Sequence, residues 1–404
     1  MGARSLTPIF SRGRDLPKLV TPSRAAWMRR ADLFLVALAI LGLGFHAIVE
    51  ETRQMKPRPY LKEKMAAATR AVRCFEAIRL DRLGEPSTLD AENDPEASGL
   101  IGQEHTLTTT DRGVLEAKLT SVNPNFAAVF VEYFKKARLR RGDAVAFSLT
   151  GSFPALNICG LAAAEEMGLK PVVITSVGAS MWGANDPGFT WLDMETLLRE
   201  KGVLDARSRA ASLGGSNDRG RALSPKGRTL LRDAIDRNEV PFIRTPTLEE
   251  AIARRIAVYD SVAGSRGVRC YVNIGGGAAS IGNQQGGQLI KPGFNRSIPD
   301  YNWTQRGALH HFAAHGVPIV HILDIESIAE TYGLPLVPEA VPPVGEGEIF
   351  HREAYDLRIA VPALLTYLVL CFGVLRSRQH AARSAREAHV PGLPGLAPQA
   401  VEER

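Results

Sequence analysis

The chain reads as an α/β protein, a mostly parallel sheet with covering helices, flanked by an N-terminal and a C-terminal transmembrane helix. Two observations carry this expectation. The first is a strand, glycine turn, helix, strand order beginning at Asp143: A-V-A-F-S-L-T, then G-S-F-P, then A-L-N-I-C-G-L-A-A-A-E-E-M-G, then P-V-V-I-T-S. A continuous apolar strand followed by a tight turn and an alanine-rich helix marks a βαβ unit whose sheet is covered on both faces. The second is a pair of seventeen-residue apolar stretches, Leu33 to Val49 and Ile359 to Leu375, each with its basic residues on the side away from the intervening chain.

Seventeen residues lie at the short end of what spans roughly 30 Å of hydrocarbon as a helix, so flanking residues complete the length. Arg4, Arg12, Arg14, Lys18, Arg24, Arg29 and Arg30 precede the first stretch against only Asp15 and Asp32, and Arg376, Arg378, Arg383 and Arg386 follow the second. The positive-inside rule then places both termini in the cytoplasm and the main domain on the other side of the membrane. No small-x-small cleavage site follows the first stretch, where Ile48, Val49, Glu50 and Glu51 stand, so it is expected to remain as a signal anchor. The resulting organisation is a basic cytoplasmic tail (1–32), a first span (33–50), a stalk and helical lead-in (51–140), an extracytoplasmic α/β domain (141–334), a proline-rich return segment (335–356), a second span (357–376) and a disordered cytoplasmic tail (377–404).

Along the chain, Met65, Ala68, Val72, Phe75, Ile78 and Arg79 give a helical repeat over Tyr60 to Leu83, and Glu85 to Gly102 reads as an acidic surface loop. Phe126 to Ala137 returns to helix, with Asn123 or Asn125 as cap. After the first βαβ unit, Val240 to Ile243 reads as strand, Thr247 to Ala263 as helix, Arg269 to Ile274 as strand, Gly307 to His315 as helix, Pro318 to Leu323 as strand and Ile325 to Tyr332 as helix. A sheet of four to six strands follows. With 404 residues and 45% apolar content the chain is long enough for such a domain, and much of its net charge of +6 sits in the tails, so it says little about a nucleic-acid partner, and none is expected. Cys74, Cys159, Cys270 and Cys371 lack C-x-x-C spacing and suggest neither a zinc site nor a disulfide framework.

Ligands of open parallel sheets bind at the carboxyl ends of the strands, and three turns there are candidates. The first offers Thr150, Gly151, Ser152 and Asn157; Ser152 reads either as the cap of the helix that Pro154 opens or as a nucleophile awaiting a base. The second offers Ser176 and Asn185. The third, N-I-G-G-G-A-A-S, offers Asn273, Gly275, Gly276, Gly277 and Ser280, whose backbone amides suit an anion. Neither G-x-G-x-x-G, a phosphate-loop lysine nor G-x-S-x-G is present, so no nucleotide cofactor is expected. Lys291, Asn295 and Arg296 in K-P-G-F-N-R could bind carboxylates, and Asp324, directly after a strand, could serve as an acid or base. His311 and His315 share a helix face next to His310 but lack a third ligand, and no metal site is expected.

Longer runs carry a resemblance. T-S-V-N-P-N-F-A-A-V at Thr120 to Val129, S-L-T-G-S-F-P-A-L-N-I from Ser148, W-G-A-N-D-P-G-F-T-W-L-D-M-E at Trp182 to Glu195, A-A-S-L-G-G at Ala210 to Gly215 and P-P-V-G-E-G-E-I-F at Pro342 to Phe350 resemble the bacterial poly-γ-glutamate system protein family. The resemblance implies two anchors around one α/β domain and a membrane-bound accessory role in making, exporting or anchoring the anionic capsular polymer. It implies poly-γ-glutamate or a glutamate-containing substrate, a poly-γ-glutamate ligase and a small membrane subunit as partners, and assigns no catalytic residue. The alternative is an extracytoplasmic γ-glutamyl amide hydrolase or transferase using Ser152, with Gly275 to Gly277 amides on the oxyanion and a histidine as base.

Overall fold

A computed structural model describes residues 22–84 and 89–387 of the chain. It divides into two compact units, 57–352 and the flanking segments 1–56 with 353–404.

The larger unit is a mixed α/β layer structure. Its sheet has six strands, β1 (Ala144–Thr150), β2 (Lys170–Ser176), β3 (Ser208–Ser212), β4 (Val268–Ile274), β5 (Gly293–Asn295) and β6 (Ile319–Ile322), in the spatial order β5-β6-β4-β1-β2-β3. All neighbours are parallel except the edge pair β5 and β6. Strand alternation explains why the apolar run at β1 is continuous. Val145, Phe147 and Leu149 enter one core with Phe130, Leu156 and Val272, whereas Ala144 and Ala146 enter a second core with Tyr259, Tyr271, Leu309 and Phe312. Both faces of the strand are therefore apolar, as a doubly covered sheet requires.

In chain order the helices are α1 (Pro22–Glu51), α2 (Leu61–Leu83), α3 (Leu115–Ser121), α4 (Phe126–Lys136), α5 (Pro154–Glu166), α6 (Trp191–Glu200), α7 (Pro225–Arg237), α8 (Leu248–Ala263), α9 (Ala278–Ile281), α10 (Gln284–Gln288), α11 (Ala308–Ala314), α12 (Ile325–Thr331) and α13 (Leu357–Glu387). Helices α2 and α4, expected as stalk and lead-in, pack with α5 in the first core through Cys74, Ile78, Phe130 and Phe134. The expected loop before Gly102 is not simply a surface one, because Asp94, Leu100 and Ile101 are buried and the Asp94 carboxylate accepts from Gly99 N–H at 2.9 Å.

Val240 to Ile243, expected as strand, makes only a one-residue bridge in which Phe242 faces Ala211. Pro241 has no N–H to donate and Glu239 turns the chain at φ 53°, so pairing stops at two hydrogen bonds around Ala211. Conversely, K-P-G-F-N-R supplies the edge strand β5. The return segment is tied down: Asn125 holds the N-cap position of α4, but its side chain makes no capping hydrogen bond and instead donates to Pro343 O at 2.9 Å and accepts from Gly345 N–H at 3.2 Å.

The flanking unit contains α1 and α13. Both are long and apolar enough to cross a membrane over Asp32–Glu51 and Leu357–Ser384, and their apolar side chains face outward, with Leu43 68% and Val369 71% exposed. The helices pack on each other at Gly42, where an added Cβ would lie 3.0 Å from the Tyr367 ring. Helix α1 begins at Pro22, inside the expected basic tail, and α13 continues to Glu387, so 377–387 is helical. Residues 1–21 and 388–404, the remainder of the two expected tails, lie outside the described residues.

Candidate functional site at the carboxyl edge of the sheet

The chain order of the strands reverses between β1 and β4. This is the switch point at which doubly wound sheets open a crevice beyond their carboxyl ends. The turn after β1 and the triple-glycine turn after β4 meet there. Gly275 has φ 88°, and a Cβ on it would lie 2.2 Å from Thr150 Oγ1, so only glycine lets the two turns approach this closely. Gly276 has open space where a Cβ would stand.

Several of the expected ligand residues make hydrogen bonds that hold these turns in place. Thr150 Oγ1 donates to Ile274 O at 3.2 Å, and Asn157 Nδ2 donates to Thr150 O at 2.9 Å. Asn273 donates to Gly275 O at 2.8 Å and to His321 Nδ1 at 3.2 Å, which leaves the His321 proton on Nε2 facing Gly287 O at 3.0 Å. Burial pushes His321 down to about 4, so this imidazole stays neutral. Ser280 pairs with the Tyr271 hydroxyl at 2.8 Å. Asn185, fully buried, binds both backbone groups of Gln103 and the Thr109 hydroxyl, while its carbonyl accepts from Thr106 and Thr108.

Ser152 does not cap α5. The N-cap position belongs to Phe153, and Ser152 Oγ accepts the Ser180 N–H at 3.1 Å. Among the described residues no histidine or carboxylate hydrogen-bonds Ser152. Asp324 caps α12 by accepting from Ser327 N–H at 3.1 Å and is exposed. His310 accepts from Gly307 N–H at 3.0 Å, lies against Trp303, and is pushed down to about 4 by burial. The antiparallel register separates the basic residues of K-P-G-F-N-R. Gly293 faces His321 and Asn295 faces Ile319, so Lys291 precedes β5 on the carboxyl rim, whereas Arg296 leaves toward the opposite rim and donates to Lys136 O at 2.9 Å. Asn295 folds back onto Lys291 O and Gly293 O.

Ser176 belongs to a buried charge cluster under the same edge. Arg255 is fully buried and its Nη2 lies 3.1 Å from Asp218 Oδ2, 2.8 Å from Ser176 Oγ and 2.7 Å from Ser212 Oγ. Its Nε and Nη1 have no hydrogen-bond partner among the described residues. Asp218, held at φ 58° in the left-handed region, is the one carboxylate paired with this guanidinium among the described residues.

Two arrangements were not anticipated from sequence. The first is a cleft of about 660 Å³ beside the end of β3, lined by Arg219, Arg228, Arg232, Arg244, Phe242 and Asp218. Arg232 stacks over Phe242 at 4.4 Å and pairs with Asp236 at 3.2 Å. Arg219 and Arg228 donate to backbone carbonyls, of Pro246 and Leu223. Among the described residues no carboxylate pairs with Arg219, Arg228 or Arg244, and Asp218 is committed to Arg255. The density of Arg219, Arg221, Lys226, Arg228 and Arg232 in one short run was the available signal.

The second is Lys118. It projects from α3 into the turns after β1 and β2, is 2% exposed, lies 3.8 Å from the Phe153 ring centroid, and donates to Ser152 O and, at 2.8 Å, to Ser180 Oγ. Burial pushes its ammonium down to about 7. Nothing in the surrounding sequence distinguishes it from a solvated helix lysine. Comparison of the chain with family models, with curated proteins and with solved structures finds no match.

Proposed function

We propose that this chain is a membrane-anchored accessory protein of poly-γ-glutamate capsule synthesis, export or anchoring. On this reading α1 and α13 span the cytoplasmic membrane, both termini are cytoplasmic, and the α/β unit binds emerging polymer outside the cell beside the ligase and the small membrane subunit. The sequence runs quoted above motivate the choice of polymer. The basic residues before Leu33 and after Leu375 support the orientation.

The observation that carries the reading is the arginine cleft. Poly-γ-glutamate presents one free carboxylate per residue, and an arginine fork donates two parallel charge-assisted hydrogen bonds to a carboxylate. Arg219, Arg228 and Arg244 leave positive charge uncompensated around a volume large enough for a short run of such residues.

Binding of fluorescent poly-γ-glutamate to the full chain in detergent micelles tests it. The wild type should bind, with affinity falling steeply between low and high salt. Changing Arg219, Arg228 and Arg244 together to Glu should weaken binding at least about tenfold, the equivalent of about 1.4 kcal/mol. Equal affinity of the two proteins would remove the cleft from the account.

A further inference from the structure

Lys118 is an anomaly that polymer binding does not explain. A lysine buried to this degree is ordinarily paired with a carboxylate, because an uncompensated buried charge is costly. Among the described residues no carboxylate pairs with it, and the groups at its Nζ are the Ser152 carbonyl, the Ser180 hydroxyl and the Phe153 ring. A desolvated amine of this kind is the setting in which lysine serves as a base toward a neighbouring hydroxyl.

We propose that Ser180 is the nucleophile, and Lys118 the general base, of an acyl-transfer or hydrolytic site acting on a carboxylic amide or ester. Ser180 follows β2 in a two-residue strand, Ala179–Ser180, paired in parallel with Thr109–Asp111; it is half-buried, with its Oγ 2.8 Å from Lys118 Nζ. Its backbone N–H is pinned on Ser152 Oγ at 3.1 Å, and Lys118 grips the Ser152 carbonyl, so the turns after β1 and β2 fix both reacting groups. In the neutral form the amine lone pair accepts the Ser180 hydroxyl proton. Ser180 Oγ attacks the acyl carbon, a C–O bond forms, and the proton passes to Lys118. Collapse breaks the C–N or C–O bond of the leaving group, which takes that proton from Lys118. Water, deprotonated by Lys118, then attacks the acyl carbon; the bond to Ser180 Oγ breaks, Lys118 returns the proton to that oxygen and the acid is released, or an amine takes the place of water in transfer. The site replaces the Ser152 and histidine arrangement expected from sequence. If the polymer reading holds, the amide is a γ-glutamyl one; the serine chemistry does not depend on that.

The test uses the full chain in detergent micelles and a fluorophosphonate probe, in which serine oxygen displaces fluoride from phosphorus as the base takes the proton. The expected result is one adduct, mapped to Ser180, forming faster as pH rises through a single ionisation. It should form at least about 100-fold more slowly in Lys118→Met and in Lys118→Arg, since arginine keeps the charge but cannot act as a base near neutral pH. No adduct on the folded wild type, an adduct on another serine, or unchanged rates in either lysine variant would overturn the proposal. Should Lys118→Met fail to fold, Lys118→Arg and the pH profile of the wild type decide it. Loss of polymer binding with the adduct intact would fault the capsule reading alone.

Discussion

Lys118→Met should make the protein more stable at neutral pH, against the usual effect of a core substitution. The wild-type amine titrates near 7 in the folded chain and near 10.5 unfolded, so between these values the unfolded chain holds more protons and stability rises with pH. At pH 7 the burial of this group costs about 4 kcal/mol, and at pH 9 about 2 kcal/mol. Methionine fills the same volume without a charge but leaves Ser152 O and Ser180 Oγ without their donor, a loss of about 2 kcal/mol. The variant should therefore exceed the wild type by about 2 kcal/mol at pH 7, and the two should converge by pH 9. Urea unfolding of the full chain in micelles, followed by the fluorescence of Trp182, Trp191 and Trp303, measures both. A variant less stable at pH 7, or two stabilities that move in parallel from pH 7 to 9, would refute the reasoning that Lys118 is an uncompensated buried amine.

Other expectations concern the remaining buried charges. Asp218→Asn should lower stability by about 3–5 kcal/mol because Arg255 keeps its charge without a counter-ion, and adding Arg255→Met should recover part of that loss; strictly additive urea midpoints would contradict the pairing. Glu195 is buried against Ser208, and burial pushes it up to about 7, so the folded state retains an extra proton between about 4.5 and 7 and stability falls as pH rises through that window. Glu195→Gln should remove this slope and be about 3 kcal/mol more stable at pH 8, with no advantage near pH 4, in the same unfolding assay.

The β1, α5, β2 unit was legible because each strand face is apolar and the helix is alanine-rich, so one composition serves both cores. Strand β3 was not, because S-R-A-A-S is small and polar and becomes strand only through its pairing with β2. Three-residue β5 likewise takes its conformation from β6. The glycine turn was placed correctly at the carboxyl edge, but a sequence cannot say whether a hydroxyl or amide beside it faces a ligand or fastens the turn. Thr150, Asn157, Asn185, Asn273 and Ser280 all have partners within the protein, and Asp324, which follows a strand as a catalytic acid would, caps a helix. The arginine cleft needs Phe242 and Arg244 from a segment well beyond Arg232, and the environment of Lys118 needs the turns after two separate strands. Both are products of tertiary packing.

The capsule role is tested most directly by the amount, length and cellular location of poly-γ-glutamate in cells deleted for this chain, complemented with the wild type or with Arg219, Arg228 and Arg244 changed to Glu. The account predicts that deletion lowers or mislocates the polymer, that the wild type restores it, and that the arginine variant, present in the membrane at equal level, does not. Polymer unchanged by the deletion would contradict it.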